Sequence, residues 1–254
     1  MNMVCATCYI PKDDERKPRG EDAHFIYAEQ QMIGVADGVG GWAKYGVDAG
    51  DYARELIFNS IIAVHRERSN SKGGLVDPKR VLEYAFSKTK LRGSSTACIL
   101  AHSDGVLRAV NVGDSGFMVF RDNKCVFRSK IQQRGFNRPY QLGNSSKLDR
   151  PDCAAEFEVA VMVGDVVVLG TDGLLDNVFP WEIEDVLKEE SEAKEGIKPD
   201  KLACSIAGLS LNKSMDKFKD SPFSEAAKKA GKTHSGGKVD DITVIVGHIV
   251  DKCQ

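Results

Sequence analysis

The chain has 254 residues, of which 42% are hydrophobic and 28% charged, and its formal net charge is -2. This composition is typical of a globular protein, and no apolar stretch is long enough to span a bilayer, so we expect a soluble protein without membrane insertion. The near-neutral charge argues against general attraction to nucleic acid. The length suits one large domain. We expect a polar lead-in over residues 1–19 and a single domain over residues 20–254.

Hydrophobic periodicity predicts the secondary structure in chain order. The predicted elements are a hairpin over 24–36, amphipathic helices over 48–68 and 78–90, a meander of four strands over 96–128, a hairpin over 156–170 about Gly164, helices over 181–192 and 201–214, and a buried strand over 242–250. Residues 132–155 and 216–238 lack periodicity, and we interpret the first as a surface loop for substrate selection.

The order of these elements predicts the fold class. Helices occur in two pairs separated by antiparallel strands, whereas a doubly wound parallel sheet needs a helix after each strand. The predicted fold is therefore α+β, with two packed antiparallel β-sheets flanked on each face by a pair of α-helices. This gives four layers in the order α-β-β-α.

The seven cysteines are odd in number, and several lie in apolar runs: Cys5, Cys8, Cys98, Cys125, Cys153, Cys204 and Cys253. Such buried free thiols indicate an intracellular, reducing compartment such as the cytoplasm. Cys5 and Cys8 have the spacing of half a zinc site, but no second Cys or His pair completes four ligands, so we disfavour zinc. The N-terminus lacks the apolar core of a secretory signal.

Three acidic residues stand where predicted strands end or begin. Asp37 and Asp172 each follow an apolar run, and Asp240 comes just before the last strand. The glycine-rich turn after Asp37 is a weak signal by itself. Three carboxylates at strand ends, however, outline a site for a hard divalent metal ion.

Six short motifs surround these carboxylates: Gly20 to Ala23, Ala36 to Trp42, Gly93 to Ala97, Asn111 to Gly116, Gly170 to Asp176, and Asp240 to Thr243. In this order they resemble type 2C metal-dependent Ser/Thr protein phosphatases, the PPM family, over nearly the whole chain. The segments Asp37 to Trp42 and Gly135 to Leu142 are similar to the branch with mitochondrial and plastid members. The resemblance therefore adds a plastid or a mitochondrion, for a trimmed form, to the expected compartments.

The resemblance implies an enzyme that hydrolyses phosphoserine and phosphothreonine with a metal-activated water at a centre of two Mg²⁺ or Mn²⁺ ions. Asp37, Asp172 and Asp240 are the implied catalytic residues. The implied metal ligands are Glu21 (through water), Asp37 (bridging both ions), the Gly38 carbonyl, Asp172 and Asp240, with Asp114 at the position of a third, weaker ion. Phosphoproteins are the implied partners, and we expect a monomer.

Several acidic assignments stay open on the residues alone. Asp114 can equally be a turn residue that binds its own backbone. Asp22 can orient metal-bound water or belong to a surface pair, and Asp176 is more typical of a helix terminus or of a supporting carboxylate than of a ligand. Asp241 replaces Asp240 as ligand if the loop is shifted by one residue. We favour Asp240, because it holds the first position of its motif.

One departure from the family concerns the general acid. Many members carry a His directly after the Asp-Gly pair, and this chain has Val39 there. Loss of a proton donor slows an enzyme without necessarily silencing it, since donation contributes about 10²- to 10⁴-fold. His24 and His234 are the nearest candidates by sequence to replace it.

A second departure concerns the phosphate-binding arginine, which in many relatives lies shortly before the Glu-Asp pair. Arg16, Lys17 and Arg19 occupy that stretch here, and Lys17 has the nearest matching offset. Because a guanidinium grips phosphate in a bidentate way and an ammonium does not, Arg16 or Arg19 can take this role instead. The alternative is a solvated run of charges.

Two other functions fit parts of the pattern. A non-catalytic binding module with a phosphatase fold would explain Val39 and the displaced arginine, but such a module would be free to lose a metal carboxylate, and none is lost. A phosphoesterase that forms an aspartyl-phosphate usually needs a second Asp soon after its nucleophile, and Asp37 has none. A metal-dependent protein phosphatase is therefore the preferred hypothesis.

Overall fold

The computed structural model describes residues 1–70, 76–192 and 196–252, apart from the side chains of residues 69 and 70, so Cys253 lies outside the described residues. The strands are β1 (Asn2–Ile10), β2 (Asp22–Tyr27), β3 (Met32–Asp37), β4 (Ser94–Ser95), β5 (Ala97–Ser103), β6 (Val106–Val112), β7 (Gly116–Arg121), β8 (Lys124–Arg128), β9 (Leu142–Gly143), β10 (Ala155–Ala160), β11 (Val166–Gly170) and β12 (Ile242–Val250). The helices are α1 (Ala49–Asn70), α2 (Pro78–Lys88), α3 (Asp172–Leu175), α4 (Pro180–Ser191), α5 (Pro199–Met215) and α6 (Pro222–Lys229). No described helix is both long and apolar enough to cross a membrane.

The strands of the described residues form two five-stranded antiparallel sheets. The first sheet has the order β1-β12-β11-β7-β8 and the second β10-β6-β5-β3-β2, while β4 pairs with β9. Helices α1 and α2 pack on the second sheet, and α4 and α5 pack on the first. Each helical pair covers an apolar core, and a third core that includes Leu100 and Phe117 lies between the sheets. The predicted α+β class and its four layers are confirmed.

Strand pairing differs from the sequence prediction at two places. The predicted meander is divided between the sheets, because the turn after β6 carries the chain from the second sheet to β7 in the first. The predicted hairpin about Gly164 is also wrong, since β10 and β11 belong to different sheets. In the link between them the Val161 N–H donates to the Gly105 carbonyl and the Gly164 N–H to the Ile249 carbonyl, which ties the link to both sheets.

Strand β1 lies inside the predicted polar lead-in and corrects that prediction. It pairs antiparallel with β12 along its whole length, so the start of the chain is part of the first sheet. Met3 is the one fully buried residue of this strand, and this weak burial explains why periodicity missed it. Cys5 and Cys8 are free thiols that pack against two different cores.

Helix α6 lies inside the region 216–238 that was predicted to be irregular. The Ser221 hydroxyl caps the helix by accepting from the Ser224 N–H at 3.0 Å, and a proline follows the cap. Phe223 and Ala227 bury one face. The helix has only eight residues, which is too short to show a clear period among its lysines.

Candidate active site

The acidic residues selected from the sequence gather at one end of the sheets. Asp37 ends β3, Asp172 opens α3 directly after β11, and Asp240 precedes β12. Together with Asp114, from the turn between β6 and β7, they line a cleft of about 360 Å³. The other lining residues are Lys12, Gly38, Val39, Gly40, Gly41, Thr96, Asn137, Pro139 and Lys238.

Backbone hydrogen bonds hold the end of β3 that carries Asp37. Its carbonyl accepts from the Ser95 hydroxyl at 2.8 Å and from the Thr96 N–H at 2.9 Å. Its own N–H donates to Thr96 Oγ1 at 3.3 Å. The next N–H, of Gly38, donates to the Glu21 carbonyl at 3.0 Å. These bonds occupy the backbone and leave the Asp37 carboxylate for the cleft.

Gly38 lies where β3 passes close to the start of α1. A Cβ there would stand 2.6 Å from the Ala49 carbonyl carbon and 2.7 Å from the Glu21 carbonyl oxygen, which are backbone atoms. We expect Gly38→Ala to lower the free energy of unfolding by about 1–3 kcal/mol, because the backbone must move. Calorimetric unfolding measures this change. Gly41→Ala is the matched control, since its Cβ would meet nothing within 4 Å; an equal loss in both variants would contradict the packing argument.

Crowding of like charge perturbs the carboxyls of the cleft. Burial, followed by the nearby Asp172 and Asp22, raises the pKa of Asp37 well above its usual range. Burial and Asp172 raise the pKa of Asp114 to about 7. Among the described residues, one carboxylate oxygen each of Asp22, Asp114 and Asp172 is buried without a hydrogen-bond partner. A set of hard oxygen atoms with unmet hydrogen-bonding and charge requirements fits a divalent cation.

Two lysines that sequence reasoning did not select lie in the same cleft. Lys238 Nζ contacts the carboxylate of Asp172 and lies 3.0 Å from that of Asp176 and 3.3 Å from that of Asp240. Lys12 Nζ lies 3.2 Å from Asp240 on the opposite carboxylate oxygen. In this arrangement no three His, Cys, Asp or Glu side chains of the described chain are spaced to hold a metal ion. Closeness in sequence to the Asp240 motif was the one signal for Lys238.

The adjacent aspartates before β12 have different surroundings. Asp241 is buried, and its two carboxylate oxygens accept the N–H groups of Lys12 and Glu21, each at 2.8 Å. Asp240 lines the cleft. Burial raises the pKa of Asp240, but Lys238 and Lys12 outweigh that effect and lower it. Asp240 therefore faces the cleft, whereas Asp241 joins the segments that follow β1 and precede β2.

Asp22 and Asp176 do not line the cleft but contact its neighbours. Asp22 is buried and accepts hydroxyl hydrogen bonds from Thr171 at 2.8 Å and Thr243 at 2.7 Å. Asp176 follows α3, and burial raises its pKa to about 7 against the opposing effect of Lys238. Both carboxylates thus support elements that carry cleft residues.

The three basic residues predicted to bind phosphate, Arg16, Lys17 and Arg19, do not line the carboxylate cleft. Lys17 Nζ lies 2.6 Å from Glu21 Oε1, while Arg16 and Arg19 are exposed. Arg16 and Lys17 line an adjoining cavity of about 390 Å³, which shares Lys12 with the cleft. Phosphate binding by Arg16, Lys17 or Arg19 stays a prediction.

The two histidines considered as general acids lie outside the cleft lining. His24, on β2, has its ring 6.0 Å from the ring of Tyr9. His234 packs edge-on against Phe223, with ring centroids 4.8 Å apart. Val39 itself lines the cleft and offers no proton.

The segment 132–155, interpreted as a substrate-selecting loop, reaches the cleft. Gln133 Nε2 donates to Asp114 Oδ2 at 2.7 Å. The Phe136 ring lies 4.8 Å from the ring of Phe223 on α6, so the loop also packs on the second irregular region. Its role in substrate choice stays a prediction.

Known proteins similar to this chain are named as phosphatases. The solved structure of the photosystem II phosphatase PBCP matches with a TM-score of 0.88 and 32% identity, over 97% of this chain and 98% of that chain. Probable protein phosphatase 2C 55 of Arabidopsis thaliana is 48% identical over 98% of this chain and 52% of its own length. The mitochondrial protein phosphatase 2C homolog 7 of Saccharomyces cerevisiae is 36% identical over 92% of this chain and 76% of its own length.

The chain belongs to the protein phosphatase 2C family, in agreement with the prediction from its motifs. It spans about half the length of the Arabidopsis relative. A scan against protein-family models found no match.

Proposed function

We propose that the chain is a metal-dependent phosphatase that hydrolyses phosphoserine and phosphothreonine in protein substrates. The observation that supports this most directly is the convergence of Asp37, Asp114, Asp172 and Asp240, far apart in sequence, on one open cleft. Carboxylates alone repel a phosphate dianion. Lys12 and Lys238 offset only part of the charge of the four aspartates, so the proposal requires divalent cations in the cleft.

Mg²⁺ or Mn²⁺ fits this donor set, because both prefer hard oxygen ligands and both keep several waters. The unpartnered buried oxygens of Asp114 and Asp172 support this fit. Two ions would be held by Glu21, Asp37, the Gly38 carbonyl, Asp172 and Asp240, and a third, weaker one by Asp114. When bound, the ions neutralise phosphoryl charge and lower the pKa of water.

Two other residues of the cleft bear on catalysis, namely Lys12, which can contact the substrate, and Val39, which cannot donate a proton to the leaving group. Lys12 lines the cleft and is our candidate for contact with phosphoryl oxygens. The other candidates are the predicted Arg16 and Lys17, which line the adjoining cavity, and Arg19, which lines neither. Val39 donates no proton, and we propose that water in the cleft protonates the leaving alkoxide. We therefore expect aryl phosphates, which have better leaving groups, to be hydrolysed faster than alkyl phosphates.

Partners and compartment are also proposals. Phosphoproteins are the proposed substrates of a monomeric enzyme, and the segment 132–155, which contributes Asn137 and Pro139 to the cleft, is the proposed determinant of their selection. One relative is named as mitochondrial and a structural neighbour as a photosystem II phosphatase. These names favour a mitochondrion or a plastid over the cytoplasm.

The second candidate function is a non-catalytic phosphatase-like binding module. Val39 at the cleft favours it, as do the ammonium groups that hold the ligand carboxylates. Retention of every carboxylate of the family pattern weighs against it.

Phosphate release from a phosphothreonine peptide distinguishes the two candidates. We expect activity with Mn²⁺ or Mg²⁺, its loss in EDTA, and its return when excess metal is added. A folded protein that binds Mn²⁺ in equilibrium dialysis but releases no phosphate would favour the binding module. A protein that binds no Mn²⁺ would contradict the metal site itself.

A further inference from the structure

Lys238 is a cation built into the acidic cluster. Its Nζ contacts the carboxylates of Asp172, Asp176 and Asp240, and its side chain is only 16% exposed. Its backbone is held by Asn177, whose Oδ1 accepts the Lys238 N–H at 2.8 Å and whose Nδ2 donates to the Lys238 carbonyl at 2.8 Å. The backbone is therefore fixed, while four methylene groups leave the ammonium free to move.

Lys12 forms ion pairs with carboxylates on the other side of the acidic cluster. Its Nζ lies 3.3 Å from Glu21, 3.2 Å from Asp240 and 3.8 Å from Asp241. Its backbone N–H donates to Asp241, so this residue too is fixed at its backbone. Its side chain is 25% exposed.

The two ammonium groups form ion pairs with carboxylates that are also proposed metal ligands. Glu21, Asp172 and Asp240 are lysine partners and proposed ligands at once. An ammonium and a divalent cation repel each other strongly at such short distances in a partly buried site. Lysine is ordinarily a cation at neutral pH, and each ammonium here lies among carboxylates.

We propose that Lys12 and Lys238 are internal counter-ions that neutralise the carboxylate cluster without metal and compete with divalent ions for Glu21, Asp172 and Asp240. This inference rests on the metal site of the proposed function. Metal binding displaces the ammonium groups, so the observed affinity equals that of the free carboxylates multiplied by the fraction of molecules in which they are free. The lysines thereby weaken metal binding and stabilise the metal-free fold.

Calorimetric titration of Mn²⁺ into the metal-free wild type, Lys238→Met and Lys12→Met tests this competition. Methionine is unbranched like lysine and removes the charge. We expect each variant to bind Mn²⁺ about tenfold more tightly, the gain that follows if the carboxylates are free in one molecule in ten. We also expect a lower melting temperature in EDTA, because buried carboxylates lose their partner. Lys238→Arg keeps the charge and should bind Mn²⁺ as weakly as the wild type.

Lys213→Met is the matched control. Lys213 is 20% exposed and pairs with Glu182, and neither residue lines the cleft. This variant should melt earlier in EDTA while its Mn²⁺ affinity stays unchanged, which separates lost stability from lost competition.

The outcomes separate this inference from the function on which it rests. Mn²⁺ binding by the wild type with equal or weaker binding by Lys238→Met and Lys12→Met would overturn the inference and leave the metal site standing. Absence of Mn²⁺ binding by the wild type would overturn both. If Lys238→Met does not fold in EDTA, the affinity of Lys12→Met decides the question.

Discussion

Replacing Asp37 with Asn is expected to lower kcat for a small aryl phosphate at least about a hundredfold. Removing a residue that merely supports a metal ligand costs about 10- to 100-fold, and removing a proposed ligand itself should cost more. Asp37 is the carboxyl whose pKa responds to Asp172, Asp22, Asp240 and Asp114 together, so it lies at the centre of the cluster. A neutral amide would supply no negative charge to the proposed metal ions. Steady-state kinetics at saturating Mn²⁺ measure the loss, and an unchanged kcat would contradict the assignment.

The same substitution should raise the melting temperature of the metal-free protein. The pKa of Asp37 is raised by burial and by like charges, so the folded state retains a proton that the unfolded state releases above about pH 4. Rising pH therefore lowers the free energy of unfolding of the wild type. Because Asn does not titrate, the gain should be larger near neutral pH than near about pH 4. Melting curves in EDTA at both pH values check this.

An exposed acid provides the control for this stability effect. Glu158 pairs with Arg108 at the surface, and both side chains are exposed. Glu158→Gln should change neither kcat nor the pH dependence of melting. A metal-free Asp37→Asn protein that melts below the wild type would show that Asp37 is held by favourable contacts rather than by repulsion.

We expect Asp240→Asn to lower kcat and Asp241→Asn to lower the free energy of unfolding. Asp240 lines the cleft as a proposed ligand, so its loss should lower kcat at least about a hundredfold. Asp241 accepts two backbone N–H groups, and an Asn there turns an amide NH₂ toward one of them. We expect that buried mismatch to lower the free energy of unfolding by about 1–3 kcal/mol. Below its melting temperature, Asp241→Asn should keep a kcat near that of the wild type.

Kinetics and denaturant unfolding on both variants decide this assignment. A kcat loss confined to Asp241→Asn would make Asp241 the ligand and would shift the motif by one residue. Equal kcat losses would mean that the two carboxylates act as one unit, so that the backbone bonds of Asp241 also position Asp240.

The sequence was informative where a residue lies beside a strongly apolar run. Asp37 and Asp172 follow such runs, so their positions at strand ends were predictable from local pattern alone. The partners of the strands were not predictable in this way. The run before Gly164 alternates between apolar and polar residues, and the run after it is continuously apolar. Both patterns are typical of strands, yet the two strands belong to different sheets. An apolar pattern indicates that a strand is buried, but it does not identify the strand with which it pairs.

The lysines of the cleft were missed for a related physical reason. A lysine in a polar segment looks like a solvated charge, and most such residues are solvated. Lys12 and Lys238 become buried cations only because segments far apart in sequence meet around Asp240. That information is tertiary, so the approach of β1 to β12 had to be seen before Lys12 could be recognised.

The pairing of β1 with β12 also determines when the cleft can assemble. Asn2 faces Val250 and Ile10 faces Ile242, so strands from opposite ends of the described chain are neighbours. Contacts between such distant residues close a long loop and therefore form slowly in folding. A nascent chain that has not yet released β12 from the ribosome leaves an open edge on β11 and gives Lys12 no Asp240 to contact. The cleft is thus completed only after β12 has been translated, and a metal ion at the proposed site would bind after that stage.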